Sequence, residues 1–138
     1  MQRRPVLVLL AAAWPARRAA ADAAAPEASL ALALRRAHEL RDAAVRAGDQ
    51  PYGAVVFDGR RVVGEAESRV VQRGNADAHA EREALADAQR RLGRSDLGGL
   101  LLVSSSRPCA LCEAAAARVG IARMIWGRGE DAGAPRLR

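Results

Sequence analysis

The 138-residue chain contains no lysine, only two cysteines and two histidines, and 3% aromatic residues. Each shortage excludes something. Two cysteines, three positions apart at Cys109 and Cys112, cannot build the disulfide framework of a small secreted scaffold. With so few aromatics, a core must form by close approach of small side chains, since alanine dominates the 50% of residues that are hydrophobic. No apolar run approaches the ~20 residues that span a bilayer, so no stable membrane span is expected. Without lysine, arginine carries all the positive charge behind the net +6. The arginines are scattered rather than aligned on one expected helix face. The charge therefore does not separate a nucleic-acid surface from a coding bias. The length admits one domain with a single core.

Residues 1–26 have the order of a secretory leader. Arg3 and Arg4 precede an apolar stretch from Pro5 to Ala13, and a small-residue tract runs to Ala25-Pro26. The Arg3-Arg4 start also resembles a twin-arginine export signal. Arg17 and Arg18 sit awkwardly behind the apolar stretch, and an N-terminal helix or a misassigned start codon is the competing reading. A periplasmic or secreted location is the expectation, with a cytoplasmic one as the alternative.

Behind the leader, residues 27–128 read as one folded unit. Leu30, Leu34, Ala37, His38, Arg41 and Val45 recur at helical spacing, and Gly48 supplies a stop. His38 is expected to be an ordinary helix residue. A strand Gly53–Phe57, an Asp58-Gly59 turn and a second strand from Arg61 to Glu67 form a hairpin. A loop covers Val70–Ala76, turning at Gly74-Asn75, and Asp77 is placed as the N-cap of a helix that begins near His79 and ends at Gly93. A strand Leu100–Ser104, a helix Pro108–Val119 and a strand Ile121–Trp126 complete the unit, leaving 129–138 as a short tail. The order α-β-β-α-β-α-β implies an α/β fold of three layers, α-β-α, with a mixed sheet of about four strands and helices on both faces.

Two segments carry chemistry: His79-Ala80-Glu81 and Pro108-Cys109-Ala110-Leu111-Cys112. A redox Cys-x-x-Cys would leave the first unexplained, whereas an imidazole and two thiolates make a three-ligand zinc set with a fourth position for water. Both segments open expected helices, where the dipole and free N–H groups favour thiolates. Glu81 is too close to His79 to be a routine fourth ligand, and it is suited to move protons of that water. Glu83, one turn on, takes the role of a solvated carboxylate.

The His-x-Glu and Pro-Cys-x-x-Cys pair resembles the cytidine and deoxycytidylate deaminase superfamily, nearest to its bacterial guanine, cytosine and tRNA-adenosine branch. The resemblance spans about residues 30–127. It rests on Asp49-Gln-Pro-Tyr-Gly-Ala-Val-Val56, Gly64-Glu65, Asn75-Ala-Asp-Ala-His-Ala-Glu81 and Ser106-Arg-Pro-Cys-Ala-Leu-Cys112. It implies one zinc ion on His79, Cys109 and Cys112, with Glu81 as proton shuttle. It also implies substrate contacts from Gly53, Ala54 and the Ala80 N–H, and a homodimer with neighbouring subunits near the site. The implied reaction is hydrolytic deamination of a small nucleobase or nucleoside. Deamination of adenosine in tRNA and a non-catalytic, zinc-stabilised domain are the alternatives. Tyr52 resembles the free-base branch.

Two positions depart from the pattern. Ser68 stands where relatives commonly carry a substrate-binding asparagine, and serine lacks the two-sided amide contact. After Trp126 only twelve residues remain, too few for the further strand and helix of relatives. The expectation is a four-stranded core whose pocket is open or completed by a partner, with activity altered or lost.

Overall fold

Strand β1 (Gly53–Phe57) is buried at every residue, which accounts for its unbroken GAVVF composition: both of its faces are covered. A computed structural model of the chain describes residues 14–137, with side chains from Glu27 onward. Residues 1–13 of the expected leader lie outside the described residues. The rest of it belongs to the backbone of helix α1 (Trp14–Arg46), which thus begins earlier than the expected Ser29. The other elements are β2 (Val62–Glu67), α2 (Val70–Arg73), α3 (Ala80–Leu92), β3 (Leu101–Ser104), α4 (Ala110–Arg118), β4 (Arg123–Trp126) and β5 (Glu130–Gly133).

The sheet order is β2-β1-β3-β4-β5. Strand β1 is antiparallel to β2 and to β3, β3 and β4 run parallel, and β5 returns antiparallel to β4. Side chains alternate between two cores. On one face Ala33 and Leu40 of α1 meet Val55, Phe57, Val103 and Ile125. On the other, Ala80, Ala84, Leu85 and Ala88 of α3 and Ala116 of α4 meet Ala54, Val56, Leu102 and Met124. This is the three-layer α-β-α arrangement read from the sequence, and its packing depends on small residues. A Cβ on Gly53 would lie 2.2 Å from the Ala37 carbonyl oxygen, and one on Gly64 would lie 2.5 Å from the Ala88 nitrogen. These two glycines let α1 and α3 approach opposite faces of the sheet.

The sheet has five strands, not the expected four. Strand β5 comes from the segment read as a tail, and its sequence, Glu-Asp-Ala-Gly, has no apolar alternation to announce it. It is held by local polar contacts: Gly129 N–H donates to Trp126 O, and Asp131 pairs with Arg123 of β4. Beyond it, Arg136 N–H donates to Glu113 Oε1 at 3.1 Å, so the chain lies against the first turn of α4. Within the expected loop, residues 70–73 form the single turn α2, ended by Gly74 in the left-handed region. Among the described residues, no helix is long and apolar enough to cross a membrane.

Candidate metal centre and its cavity

Two helix starts converge where β3 ends. His79 is the N-cap of α3, with extended backbone (φ −65°, ψ 146°). Asp77, expected in that position, instead donates its N–H to Asn75 Oδ1 and pairs with Arg82 at 2.7 Å. At the cap, the imidazole lies outside the helical turn and reaches the cysteines at the start of α4. There Cys109 is the N-cap, and its Sγ accepts the Cys112 N–H at 3.4 Å. Pro108 stands two positions before Ala110, the first residue of α4, so the helix begins two residues later than expected.

The three donors meet. His79 Nδ1 lies 3.7 Å from Cys109 Sγ and 3.4 Å from Cys112 Sγ. A zinc ion about 2.3 Å from sulfur and about 2.0 Å from nitrogen would hold tetrahedral donors about 3.6 Å apart. Imidazole and thiolates are also the donors a borderline-soft ion selects. The residues therefore fit zinc. Burial pushes the Cys112 thiol well above its ordinary range, and the neighbouring Glu81 and Cys109 push it the same way. A bound divalent cation reverses that balance and keeps the sulfur ionised.

Glu81, in the first turn of α3, is 5% exposed, and its Oε2 is 3.7 Å from Cys112 Sγ. Burial raises its pKa, opposed by its own backbone N–H, His79 and Cys112. A carboxyl in such surroundings takes up a proton more readily than a solvated one. Glu83 is spent on Arg73, at 2.9 Å.

A cavity of 310 Å³ opens over the cluster, lined by Gln50, Tyr52, His79, Glu81, Arg107 and Cys109. That volume lies at the lower end of small-ligand pockets, about 300–1,000 Å³. Gln50 and Arg107 were not singled out in the sequence, although each stands inside a motif: Gln50 before Pro51-Tyr52, and Arg107 before Pro108-Cys109. The other expected contact residues lie around the cavity rather than in its lining. Gly53 donates its N–H to Ser105 Oγ at 3.1 Å. Ala54 is fully buried between Ala66 and Ser104. Ala80 is the first residue of α3, so no carbonyl within the helix can satisfy its N–H. Ser68 is fully buried and donates its hydroxyl to Asp49 Oδ1. Asp49 also accepts the N–H groups of Gln50 and Gln72. Burial works to raise the Asp49 pKa, but the N–H groups of Gln72 and Gln50 and the Ser68 hydroxyl outweigh it and hold the carboxyl at about 2.

The fold and site define a class, and comparison with known proteins agrees. Residues 28–128 match the family model of the cytidine and deoxycytidylate deaminase zinc-binding region, and the chain belongs to that family. It is 33% identical over 95 residues to the tRNA-specific adenosine deaminase of Haemophilus influenzae, covering 68% of this chain and 55% of that protein. The X-ray structure of guanine deaminase from Bacillus subtilis superposes with a TM-score of 0.66 at 29% identity, covering 69% of this chain and 61% of that one. A further neighbour, solved in complex with 8-azaguanine, has a TM-score of 0.64 at 32% identity and covers 74% of this chain and 57% of its own. The chain spans about half the length of the curated deaminases it matches.

Proposed function

We propose that this domain is a zinc-dependent hydrolytic deaminase of a nucleobase or nucleoside. The observation that carries the proposal is the Glu81 carboxyl buried against Cys112 in the cavity that His79 and Cys109 line. His79, Cys109 and Cys112 would hold a zinc ion, whose chemistry there would be to acidify a water, with a pKa toward about 7. Glu81 would take one proton from the attacking water as a C–O bond forms at the ring carbon bearing the amino group, and would pass it to the ring nitrogen. The same carboxyl would then take the remaining proton of the new hydroxyl and give it to the departing amino group. The C–N bond breaks, ammonia leaves and a carbonyl remains. The Ala80 N–H, in the first turn of α3, would contact the substrate. Gly53 and Ala54 lie behind the cavity lining, in the strand that follows Gln50 and Tyr52. Ser68 acts on the substrate through Asp49, which holds the Gln50 backbone.

The curated relatives include several tRNA-specific adenosine deaminases, which favours adenosine in tRNA as the second reading. A screen of zinc-loaded protein for ammonia release from guanine, cytosine, adenine, their nucleosides and tRNA separates the readings. Release from a free base or nucleoside supports the first, and release from tRNA alone supports the second. No release from any of them identifies a zinc-stabilised domain without catalysis.

Two further expectations belong to this proposal. A homodimer is supported by apolar side chains left in solvent, including Leu111 at 63% exposure in the first turn of α4 and Tyr52 at 41%. Sedimentation at micromolar concentration tests it. Export to the periplasm or medium is supported by the residue order of 1–26, with the cytoplasm as the alternative. The N-terminal residue of protein recovered from cell fractions tests that.

A further inference from the structure

Position 68 supplies no amide to the cavity. The Ser68 hydroxyl is fully buried, donates to Asp49 Oδ1 at 2.8 Å and is not part of the lining. A neutral ring is held in one orientation by a donor and an acceptor side by side, and the lining offers that pair at Gln50. Its carboxamide carries N–H donors and a carbonyl acceptor on adjacent atoms. The Tyr52 phenol has a single oxygen, and the Arg107 guanidinium only donates. His79 and Cys109 are committed to the ion, and Glu81 to proton transfer.

Gln50 is fixed through its backbone, while its side chain is left to the cavity. Its N–H donates to Asp49 Oδ1 at 2.8 Å, and its carbonyl accepts the Tyr52 N–H at 2.8 Å. The Tyr52 carbonyl in turn accepts the Ser68 N–H at 3.0 Å. The carboxamide itself makes no hydrogen bond among the described residues. The other described carboxamides are placed elsewhere. Asn75 Oδ1 accepts the Asp77 N–H, Gln89 Nε2 donates to the Ser95 carbonyl, and Gln72 stands outside the lining. One Asp49 oxygen accepts from both Ser68 and Gln50, so the residue that departs from the family pattern holds the loop that presents an amide.

We infer that the Gln50 carboxamide reads the ring edge of the base through two hydrogen bonds, donating Nε2–H to a ring carbonyl and accepting the adjacent ring N–H at Oε1. The inference rests on the deaminase reading for the presence of a base in the cavity. It makes Gln50, and not the residue at position 68, the specificity-determining residue of this chain. It also names the chemical feature selected, a lactam. Free cytosine and guanine each carry one, a carbonyl beside the N1–H. Adenosine within tRNA has no ring N–H and cannot complete the pair.

The test is equilibrium dialysis with full-length, zinc-loaded protein carrying Glu81→Gln, in which turnover is suppressed. The probes are cytosine, 1-methylcytosine, guanine and 1-methylguanine, each methyl group removing the lactam N–H. At least one base is expected to bind about 10- to 100-fold more tightly than its methylated form, the range of one or two hydrogen bonds with a partner left unpaired. Adding Gln50→Leu brings that ratio to about one, because neither bond can form. Adding Gln50→Glu instead keeps the acceptor for the ring N–H and removes the donor to the carbonyl, so both ligands bind more weakly and the ratio persists. A side chain that merely filled space would not separate the two variants in this way. The backbone bonds of Gln50 are unaltered in both, so zinc content and thermal midpoint remain those of the parent protein. Equal binding of a base and its methylated form, no binding of either base, or a preference that survives Gln50→Leu overturns the inference. Ammonia release by protein with Glu81 intact decides the deaminase reading separately. Gln50-dependent binding without release refutes that reading and leaves the lactam site standing. Release from bases with no Gln50-dependent preference, or from tRNA alone, overturns the inference and leaves the deaminase standing.

Discussion

The Ser68 hydroxyl donates to Asp49 Oδ1 at 2.8 Å, and both residues are buried beneath the loop that carries Gln50 and Tyr52. Asp49 also takes the N–H groups of Gln50 and of Gln72, so one carboxylate joins the end of β2, the turn α2 and the cavity wall. The residue that departs from the family pattern at position 68 is therefore part of the wall's support. Ser68→Ala removes a donor from a carboxylate that has to stay ionised. The variant should have a lower thermal midpoint and a raised Michaelis constant for whatever substrate the screen identifies. Ser68→Asn, which keeps a donor but adds volume to a fully buried position, should be destabilised further.

The same network sets a pH dependence. The Asp49 carboxyl is held down to about 2 by its hydrogen bonds, against an ordinary value of 3.8. A depressed carboxyl contributes stability that is complete above the unfolded value and is lost as pH falls through the folded one. Wild type should therefore exceed Asp49→Asn in stability at pH 5. The advantage should shrink between pH 3.8 and about 2. Urea melts of the two proteins across that interval measure it.

Gly53→Ala and Gly64→Ala test the contacts between helices and sheet. A Cβ at either position meets backbone, at 2.2 Å and 2.5 Å respectively, rather than a side chain able to move aside. Each substitution should cost about 1–3 kcal/mol or more, as overpacking of a close-packed core does. Chemical denaturation with an unchanged m-value would identify this as a loss of stability and not of cooperativity.

His38 is more than the ordinary helix residue its sequence suggests. Its Nε2 donates to the Gly127 carbonyl at 2.7 Å, and its Nδ1 accepts from Arg41 at 3.0 Å, which ties α1 to the turn between β4 and β5. His38→Ala should lower stability by about 1–2 kcal/mol, and hydrogen exchange should rise first in residues 127–133.

Much of this arrangement was legible in the sequence because it rests on short-range patterns. The apolar run Gly53–Phe57 and the alanine spacing of α3 mark burial. Cys109 and Cys112 lie one helical turn apart, which brings both sulfurs to one ion. What was not legible depends on contacts distant in the chain. Strand β5 has no hydrophobic period and exists through pairing with β4 and the Arg123–Asp131 pair. The partner of Ser68 is nineteen residues earlier, and that of His38 is eighty-nine residues later. Asp77 is a favoured N-cap residue, but its carboxylate pairs with Arg82 and α3 begins at Ala80, which leaves the cap position to His79.

Metal binding should be coupled to folding, since the donors come from two helices. Free zinc at a hundred times its dissociation constant stabilises the folded chain by about 2.7 kcal/mol. That gain should disappear on chelation and in Cys112→Ser. A thermal midpoint indifferent to zinc in the wild type would mean that the three donors hold no structural ion.

The most direct measurement compares Glu81→Gln with wild type in ammonia release at equal, stoichiometric zinc content. The carboxyl is proposed to carry the protons while His79, Cys109 and Cys112 keep the ion. The variant should therefore retain its zinc and lose activity by about 10²- to 10⁴-fold, the usual contribution of a positioned general acid–base group. Equal rates at equal zinc would contradict the account.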